Sequence, residues 1–201
     1  MAHKIWIWCK SKAIWLSATH IPGIENEADL NSRVFNERVE WKLSPDVFAE
    51  IVDIFGLPEI DMFASRLNKH LDRYVSWRPD PDAEAIDAFS VNWNGKYIYC
   101  FPPFSLMGRL VQKSRQDQAD VLLVAPLWVT QNFYTSVLEM LTMDPYILRV
   151  EQDTLTLPQT QKVHPLTNKL HLMLCRISGD PLKSENYLKS LSTSSCHLGG
   201  N

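Results

Sequence analysis

Residues Val121–Ala125 read Val-Leu-Leu-Val-Ala, an apolar run without a polar interruption. Such a run predicts a strand that is buried on both faces, which is the environment of a strand in a parallel sheet. Helical patterns flank it, over Leu106–Gln118 on one side and Phe133–Leu141 on the other. Strands that alternate with helices indicate an α/β fold in which helices cover a mainly parallel sheet.

Further elements are predicted on both sides of this run. A helix begins after Ser44, a good capping residue followed by Pro45, and it ends before Gly56 and Pro58. Short apolar segments predict four more strands, at Glu59–Phe63, Lys96–Phe101, Tyr146–Val150 and Lys169–Ile177. Residues 64–90 are predicted to be irregular.

The two ends of the chain differ from this pattern. Residues 1–35 contain one predicted strand, Ala13–Thr19, and one weak helix, which together cannot bury a core. From Gly179 onward the sequence is polar and rich in Ser and Gly, which predicts a disordered tail or linker. We therefore expect an incomplete unit over 1–35, an α/β domain over 36–178 and a linker over 179–201.

Composition excludes several classes of protein. The 201 residues carry a net charge of −3, which excludes a globally basic nucleic-acid binder but leaves room for a local basic patch. The longest apolar stretch, Val121–Val129, is shorter than the roughly 20 residues of a membrane span, so no membrane partner is expected. Four scattered cysteines without a CxxC pair predict a reducing, intracellular compartment and no zinc site.

The most specific local motif is Cys100-Phe101-Pro102-Pro103-Phe104-Ser105, directly after a predicted strand. Ligands of α/β sheets bind beyond the carboxyl ends of the strands. The two prolines fix the backbone, and Phe104 offers a flat face on which a planar base could stack. The alternative is a rigid turn that only closes the strand.

Several motifs follow one another in a characteristic order. They are the capped helix Ser44–Phe55, Asp61–Ser65 (DMFAS), Asp87–Phe89 (DAF), Asn92-Trp93 and Phe101–Ser105 (FPPFS). Over residues 41–142 this order resembles the phage-type DNA adenine methyltransferase family. The resemblance implies a three-layer, Rossmann-like sheet, S-adenosylmethionine as cofactor and adenine in DNA as substrate.

One branch is closer still. The amino-acid sequence resembles the methyltransferase-like module in polyproteins of DIRS-type retrotransposons, which follows reverse transcriptase and ribonuclease H. Three segments carry this resemblance: Ile60–Trp93, Phe101–Arg109 and Asp120–Trp128. His20–Arg33 resembles the end of such a ribonuclease H domain, and Asp29 matches its last metal-binding carboxylate. The other metal-binding acids have no counterpart here, so we expect this remnant to be inactive and to bind no metal. The resemblance implies DNA and the rest of a polyprotein as partners, and the nucleus as the place of action.

The resemblance also assigns roles to residues. Phe101, Pro102, Pro103 and Phe104 occupy the catalytic motif, in which the family has Asp, Asn or Ser before the prolines. That residue and a proline carbonyl accept hydrogen bonds from the amine of a flipped adenine. A phenyl ring accepts no such bond, and the loss of one polar partner costs other enzymes about 10²–10³ in rate. We expect methyl transfer to be weak or absent. The predicted cofactor contacts are Asp61, Ser65, Asp87 and Asn92, with loop capping as the alternative for Asp61.

A basic and aromatic cluster consists of Arg66, Lys69, His70, Arg73 and Arg78, interleaved with Tyr74 and Trp77. The predicted nucleic-acid contacts within it are Arg66, Lys69, Arg73, Tyr74 and Trp77. Four acids crowd it, so a solvated charged loop is the alternative. Three functions therefore stay open. They are a weak or inactive adenine methyltransferase, a non-catalytic nucleic-acid-binding or scaffolding module, and a decayed copy with no selected role.

Overall fold

The structure is a computed structural model that describes residues 41–157 and 164–195. These residues belong to the second of the two units into which the chain divides, Val39–Asn201. The predicted ribonuclease H remnant over 1–35, with Asp29, lies outside the described residues.

The described residues form four helices and nine strands. The helices are α1 (Pro45–Phe55), α2 (Met107–Gln116), α3 (Asn132–Glu139) and α4 (Pro181–Ser195), and two short 3₁₀ helices cover Ala88–Ser90 and Phe104–Leu106. The strands are β1 (Lys42–Leu43), β2 (Ile60–Ala64), β3 (Tyr74–Ser76), β4 (Ala85–Ile86), β5 (Tyr97–Cys100), β6 (Asp120–Pro126), β7 (Tyr146–Arg149), β8 (Leu155–Thr156) and β9 (His171–Ser178).

Seven of these strands form one sheet in the order β4-β3-β2-β5-β6-β9-β7. The five strands from β4 to β6 are parallel, whereas β9 is antiparallel to its neighbours β6 and β7. Strands β1 and β8 form a separate antiparallel pair. The prediction of an α/β fold with a mainly parallel sheet is confirmed.

The central strand β6 explains the uninterrupted apolar run. The side chains of Leu122 and Val124 lie on the face of the sheet that α1 covers, in one cluster with Phe55 of that helix. Leu123 and Ala125 pack against the opposite face, which α2 and α3 cover. Because both faces of the sheet are covered by helices, neither set of alternating side chains can be polar.

The predicted linker from Gly179 differs from the structure, which has helix α4 there. Asp180 begins this helix, because its carboxylate accepts the backbone N–H of Leu182 at 3.0 Å, and Pro181 occupies the first turn. Tyr187 then packs against the core and donates a hydrogen bond to Asp144. The cap is local, and Asp180 followed by Pro181 is its signal in the sequence, whereas the contact between Tyr187 and Asp144 joins residues distant in sequence that composition alone does not indicate.

The predicted irregular stretch 64–90 also differs, because it contains β3 and β4. These strands have three and two residues, too few for an alternating pattern. They form because their backbones pair with the neighbouring strand, as Val75 pairs with Ala85. The connection from β4 to β5 is held by Trp93, a fully buried side chain whose indole N–H donates to the carbonyl of Ala88 at 2.8 Å.

Candidate functional site

The sheet has a topological switch point between β2 and β5. The chain continues from β2 to β3 on one side and from β5 to β6 on the other. In open α/β sheets, ligands bind beyond the carboxyl ends of the strands at such a point. Here β2 is followed by Ser65 and β5 by Phe101, so the sequence motif of the two prolines lies at this edge.

The motif itself forms a rigid turn. Pro102 is buried, Phe101 and Phe104 are half-buried, and their ring centroids lie 6.4 Å apart. The carbonyl of Pro103 accepts the backbone N–H of Leu106 at 2.9 Å as the 3₁₀ helix begins. Phe101 packs against the core on the α1 side. The position before the prolines therefore presents an apolar ring and no hydrogen-bond acceptor.

Asp61 lies at the second position of β2 and is 2% exposed. One carboxylate oxygen accepts the backbone N–H of Phe63 at 3.3 Å and the other that of His70 at 3.2 Å. Burial raises the pKa of Asp61 to about 7, although these two bonds and the nearby charge of Lys42 act in the opposite direction. This geometry is that of a residue that closes the loop between β2 and β3.

His70 lies in this loop, and in the sequence it belongs to the basic and aromatic cluster. Its ring stacks on Phe48 of α1 at 4.0 Å and meets the ring of Tyr99 edge-on at 5.8 Å. Within the described part of the chain, its buried Nε2 and the buried hydroxyl of Tyr99 have no hydrogen-bond partner. Burial, helped by the charge of Lys42, lowers the pKa of His70 to about 3. The imidazole is therefore neutral at physiological pH.

The other three predicted cofactor residues separate in space. Ser65 directly follows β2, and its backbone N–H donates to Asn68 at 2.7 Å. Asp87 directly follows β4 at the same edge, where its carboxylate accepts the N–H of Phe89 at 3.0 Å. Asn92 instead lies in the connection that leads to the amino end of β5, in a cavity of about 550 Å³ that Asp117 also lines. The structure therefore brings Ser65 and Asp87, but not Asn92, to the carboxyl edge.

Several members of the predicted nucleic-acid cluster already have partners in the folded chain. Arg73 forms a two-bond ion pair with Glu84, and Lys69 lies 4.9 Å from the ring of Tyr74, which is fully buried. Arg73 and Lys69 fit the alternative of a charged loop, whereas Tyr74 is a buried residue of β3. Arg66 is exposed, and Trp77 is 50% exposed at the carboxyl end of β3.

Three more side chains lie at this edge. Arg78 belongs to the basic and aromatic cluster of the sequence, whereas Arg109 and Trp128 were absent from the sequence-based site. The guanidinium of Arg78 lies 4.0 Å from the Trp77 ring, and that of Arg109 lies 3.9 Å from the ring of Phe89. Trp128, beyond the end of β6, is 38% exposed and meets Phe104 edge-on at 5.2 Å. A tryptophan two residues after a buried strand is the signal that could have indicated it. We call Trp77, Arg78, Phe104, Arg109 and Trp128 the aromatic edge.

Across residues 41–157 and 164–195, no three His, Cys, Asp or Glu side chains are grouped so that they could hold a metal ion. The helices in those ranges are all too short or too polar to cross a membrane. No protein-family model matches the chain, and no curated protein matches its sequence.

Proposed function

We propose that this chain carries a DNA adenine methyltransferase-like module, as its sequence resemblance implies, in which methyl transfer is weakened by Phe101. The observation that carries the proposal is the position of the Phe101–Phe104 turn at the switch point of the sheet. The sequence resemblance and this placement are independent of each other. DNA, other parts of a retroelement polyprotein and a nuclear location belong to the same proposal.

The strand order supports a Rossmann-like, methyltransferase-like sheet. Strands β4-β3-β2-β5-β6 follow the 3-2-1-4-5 order of doubly wound nucleotide-binding sheets. After them, an antiparallel strand, β9, is inserted before β7. The five parallel strands are therefore the part of the sheet that supports a Rossmann-like fold.

Part of the edge fits S-adenosylmethionine, which when bound supplies an electrophilic methyl group. Asp87 is exposed at the carboxyl end of β4 and already accepts one backbone bond. A carboxylate has about four acceptor sites, so Asp87 can bind further donors. The Ser65 hydroxyl at the end of β2 already donates to Asn68 at 3.1 Å and accepts the backbone N–H of Leu67 at 3.3 Å, so it shapes the loop beside Asp87. Asp61 is buried beneath the loop and contributes by holding that loop in place.

The substrate half of the site favours binding over reaction. The Phe104 ring can stack on an unpaired base, an interaction of about 1–3 kcal/mol. S-adenosylmethionine bound at this edge would supply an electrophilic methyl group for the adenine amine, and the residue before the prolines would be the one that accepts a hydrogen bond from that amine and orients it. Phe101 offers that amine no acceptor, and an amine buried without one is penalised by roughly 1–3 kcal/mol.

A non-catalytic nucleic-acid-binding module is the second candidate. The apolar Phe101 ring at the acceptor position favours it, because stacking on Phe104 needs no acceptor. The two candidates differ in their need for the methyl donor.

Calorimetric titration of S-adenosylmethionine into the 201-residue chain separates them. The proposal expects saturable binding that is weakened at least about 10-fold by Asp87→Ala, since one charged hydrogen bond contributes roughly 1.5–3 kcal/mol. Asp53→Ala, an exposed carboxylate on α1, is the matched control and should bind as the wild type does. If the folded wild-type chain shows no binding, the methyltransferase proposal fails and the second candidate remains.

A further inference from the structure

We infer that Trp128 is a second base-contacting side chain of the substrate half, where it forms with Phe104 a corner that takes one unpaired base. The inference rests on the proposed function, in which a base stacks on Phe104. It adds a binding residue from outside the Phe101–Phe104 turn, and it places the base on the side of the switch point away from the cofactor.

The aromatic edge divides at the switch point. Trp77 and Arg78 follow β3, on the same side as Asp87. Phe104 follows β5 and Trp128 follows β6, on the other side. Trp128 is four strand spacings from Asp87, which is about 19 Å at about 4.8 Å per spacing. A base beside Trp128 and a cofactor at Asp87 therefore do not compete for the same place.

The rings of Phe104 and Trp128 meet nearly at a right angle. Their centroids lie 5.2 Å apart, and their planes are inclined by 80°. A planar base in this corner has its face on one ring and its edge against the other. Stacked and edge-to-face contacts are the two arrangements that aromatic rings favour. The corner therefore suits a nucleobase, and such contacts do not need the acceptor that Phe101 lacks.

The indole of Trp128 is accessible, unlike that of a core tryptophan. Trp93 is fully buried, and its N–H donates to the backbone. Trp128 is instead 38% exposed, and Val129 beside it is 63% exposed. Both lie just beyond the carboxyl end of β6, at the edge where α/β sheets bind ligands. Apolar surface is thus exposed at the place where a ligand would cover it.

The backbone holds Trp128 in this position. Its N–H donates to the carbonyl of Pro126 at 2.9 Å, and its carbonyl accepts the N–H of Gln131 at 3.0 Å. One residue earlier, the N–H of Leu127 donates to the carbonyl of His171 on β9 at 2.9 Å. A contact surface that is already fixed loses less entropy when a ligand binds to it.

The substrate side of the edge carries fewer acids than the cofactor side. Residues 97–116 and 121–138, which include β5, β6 and the segments after them, contain no Asp or Glu. On the cofactor side, Asp80 and Asp82 lie between β3 and β4, and Asp87 follows β4. The phosphates that flank a base in the corner therefore meet no carboxylate from the two segments that form it.

The test is a fluorescence anisotropy titration of the full chain, without S-adenosylmethionine, into a labelled 12-nucleotide single strand of mixed sequence. An abasic strand of the same length, with sugars and phosphates but no bases, is the comparison. We expect the wild type to bind the base-bearing strand at least about 5-fold more tightly than the abasic strand, since one stacked base contributes about 5- to 150-fold in affinity.

Trp128→Ala should lower the affinity for the base-bearing strand by about 5-fold or more and leave that for the abasic strand unchanged. Trp128→Phe, which keeps a ring, should lose less affinity than Trp128→Leu, which keeps apolar bulk for packing but no ring. Leu57→Ala is the matched control, since Leu57 is 66% exposed but precedes the amino end of β2. It should bind both strands as the wild type does.

The inference is overturned if the wild type binds the two strands equally, or if the folded Trp128 variants bind the base-bearing strand as the wild type does. A loss of affinity that is equal for the two strands also overturns it, because Trp128 would then act through phosphates or packing. If base-dependent binding needs the Trp128 ring but S-adenosylmethionine does not bind, the inference holds and the methyltransferase proposal fails. If the cofactor binds but the Trp128 ring is dispensable, the inference fails and the methyltransferase proposal stands.

Discussion

The carboxylate of Asp61 accepts the backbone N–H of His70 at 3.2 Å, across a loop of nine residues. A second bond supports the same loop, because the amine of Lys42 donates to the carbonyl of Lys69 at 2.7 Å. One buried acid thus holds the connection between β2 and β3, where the resemblance implied a contact to the cofactor. The loop leaves the sheet beside the switch point, so Asp61 acts on the site by positioning this loop.

Asp61 and His70 have opposite effects on the pH dependence of stability. The folded state raises the pKa of Asp61 from 3.8 to about 7 and lowers that of His70 from 6.5 to about 3. Between about pH 4 and 6.5 the unfolded chain has a charged Asp and a charged His, whereas the folded chain has both neutral. The two states bind equal numbers of protons at this pair, so the two effects cancel in the wild type.

Asp61→Asn should reveal the effect of His70. Because folding lowers the pKa of His70, the unfolded state binds one more proton than the folded state in this range. The free energy of unfolding of the variant therefore rises as the pH rises from about 4 to about 6.5. Relative to the wild type, we expect the free energy of unfolding to rise by about 1.4 kcal/mol per pH unit. Urea denaturation across this range measures the slope. Parallel profiles for variant and wild type would contradict the coupling.

His70→Gln should show the opposite slope. Here the raised folded pKa of Asp61 remains, so the folded state binds the extra proton and stability falls as pH rises from about 4 to about 7. The same denaturation series measures it. The double variant, Asp61→Asn with His70→Gln, is the control for a general loss of packing. Its free energy of unfolding should depend on pH in parallel with that of the wild type.

Gly179→Ala should destabilise the fold strongly. A Cβ at this position would lie 1.9 Å from the carbonyl oxygen of Ser114, which is backbone and cannot move aside without disturbing α2. We expect a loss of at least about 2 kcal/mol, in the range of severe overpacking. Gly108→Ala is the control, because a Cβ there meets nothing within 4 Å and helix propensity favours Ala. The midpoints of thermal unfolding of the two variants measure the difference. Equal midpoints would contradict the close contact between Gly179 and the carbonyl of Ser114.

Ser44→Ala should weaken the start of α1. The Ser44 hydroxyl accepts the backbone N–H of Val47 at 3.3 Å, which satisfies one of the free donors of the first turn. The expected loss is about 1 kcal/mol, and Ser44→Gly should lose only a few tenths. Ser105→Ala, at an exposed position in the 3₁₀ helix, should leave the unfolding midpoint unchanged. An unchanged midpoint in Ser44→Ala would show that the cap contributes nothing.

Phe101→Asn should increase methyl transfer if the cofactor binds. Asparagine restores an acceptor for the adenine amine, and the gain could reach about 10²-fold, by analogy with other preorganised polar partners. Incorporation of a labelled methyl group into single-stranded DNA measures it, with Phe101→Leu as an apolar control. A folded Phe101→Asn chain that binds S-adenosylmethionine but shows no more incorporation than Phe101→Leu would count against the assigned role of this position.

The sequence by itself determined the elements whose signals are local. Ser44 and Pro45 begin α1 because a side-chain oxygen and a fixed φ act within one turn. The run Val121–Ala125 predicts a buried central strand because an apolar segment of that length requires cover on both faces. The Phe101–Phe104 turn is also local, because Pro102 and Pro103 cannot continue the strand that precedes them.

Tertiary structure decided everything that depends on partners distant in sequence. Strands β3 and β4 are too short to have a pattern and exist through backbone pairing, as between Val75 and Ala85. Asp61 closes a loop because His70 is folded back over it, and Asn92 is separated from Asp87 by the crossover that Trp93 fixes. Trp77 and Trp128 share one edge because β3 and β6 run parallel in the same sheet. Burial and strand order are properties of the whole sheet, and no single segment encodes them.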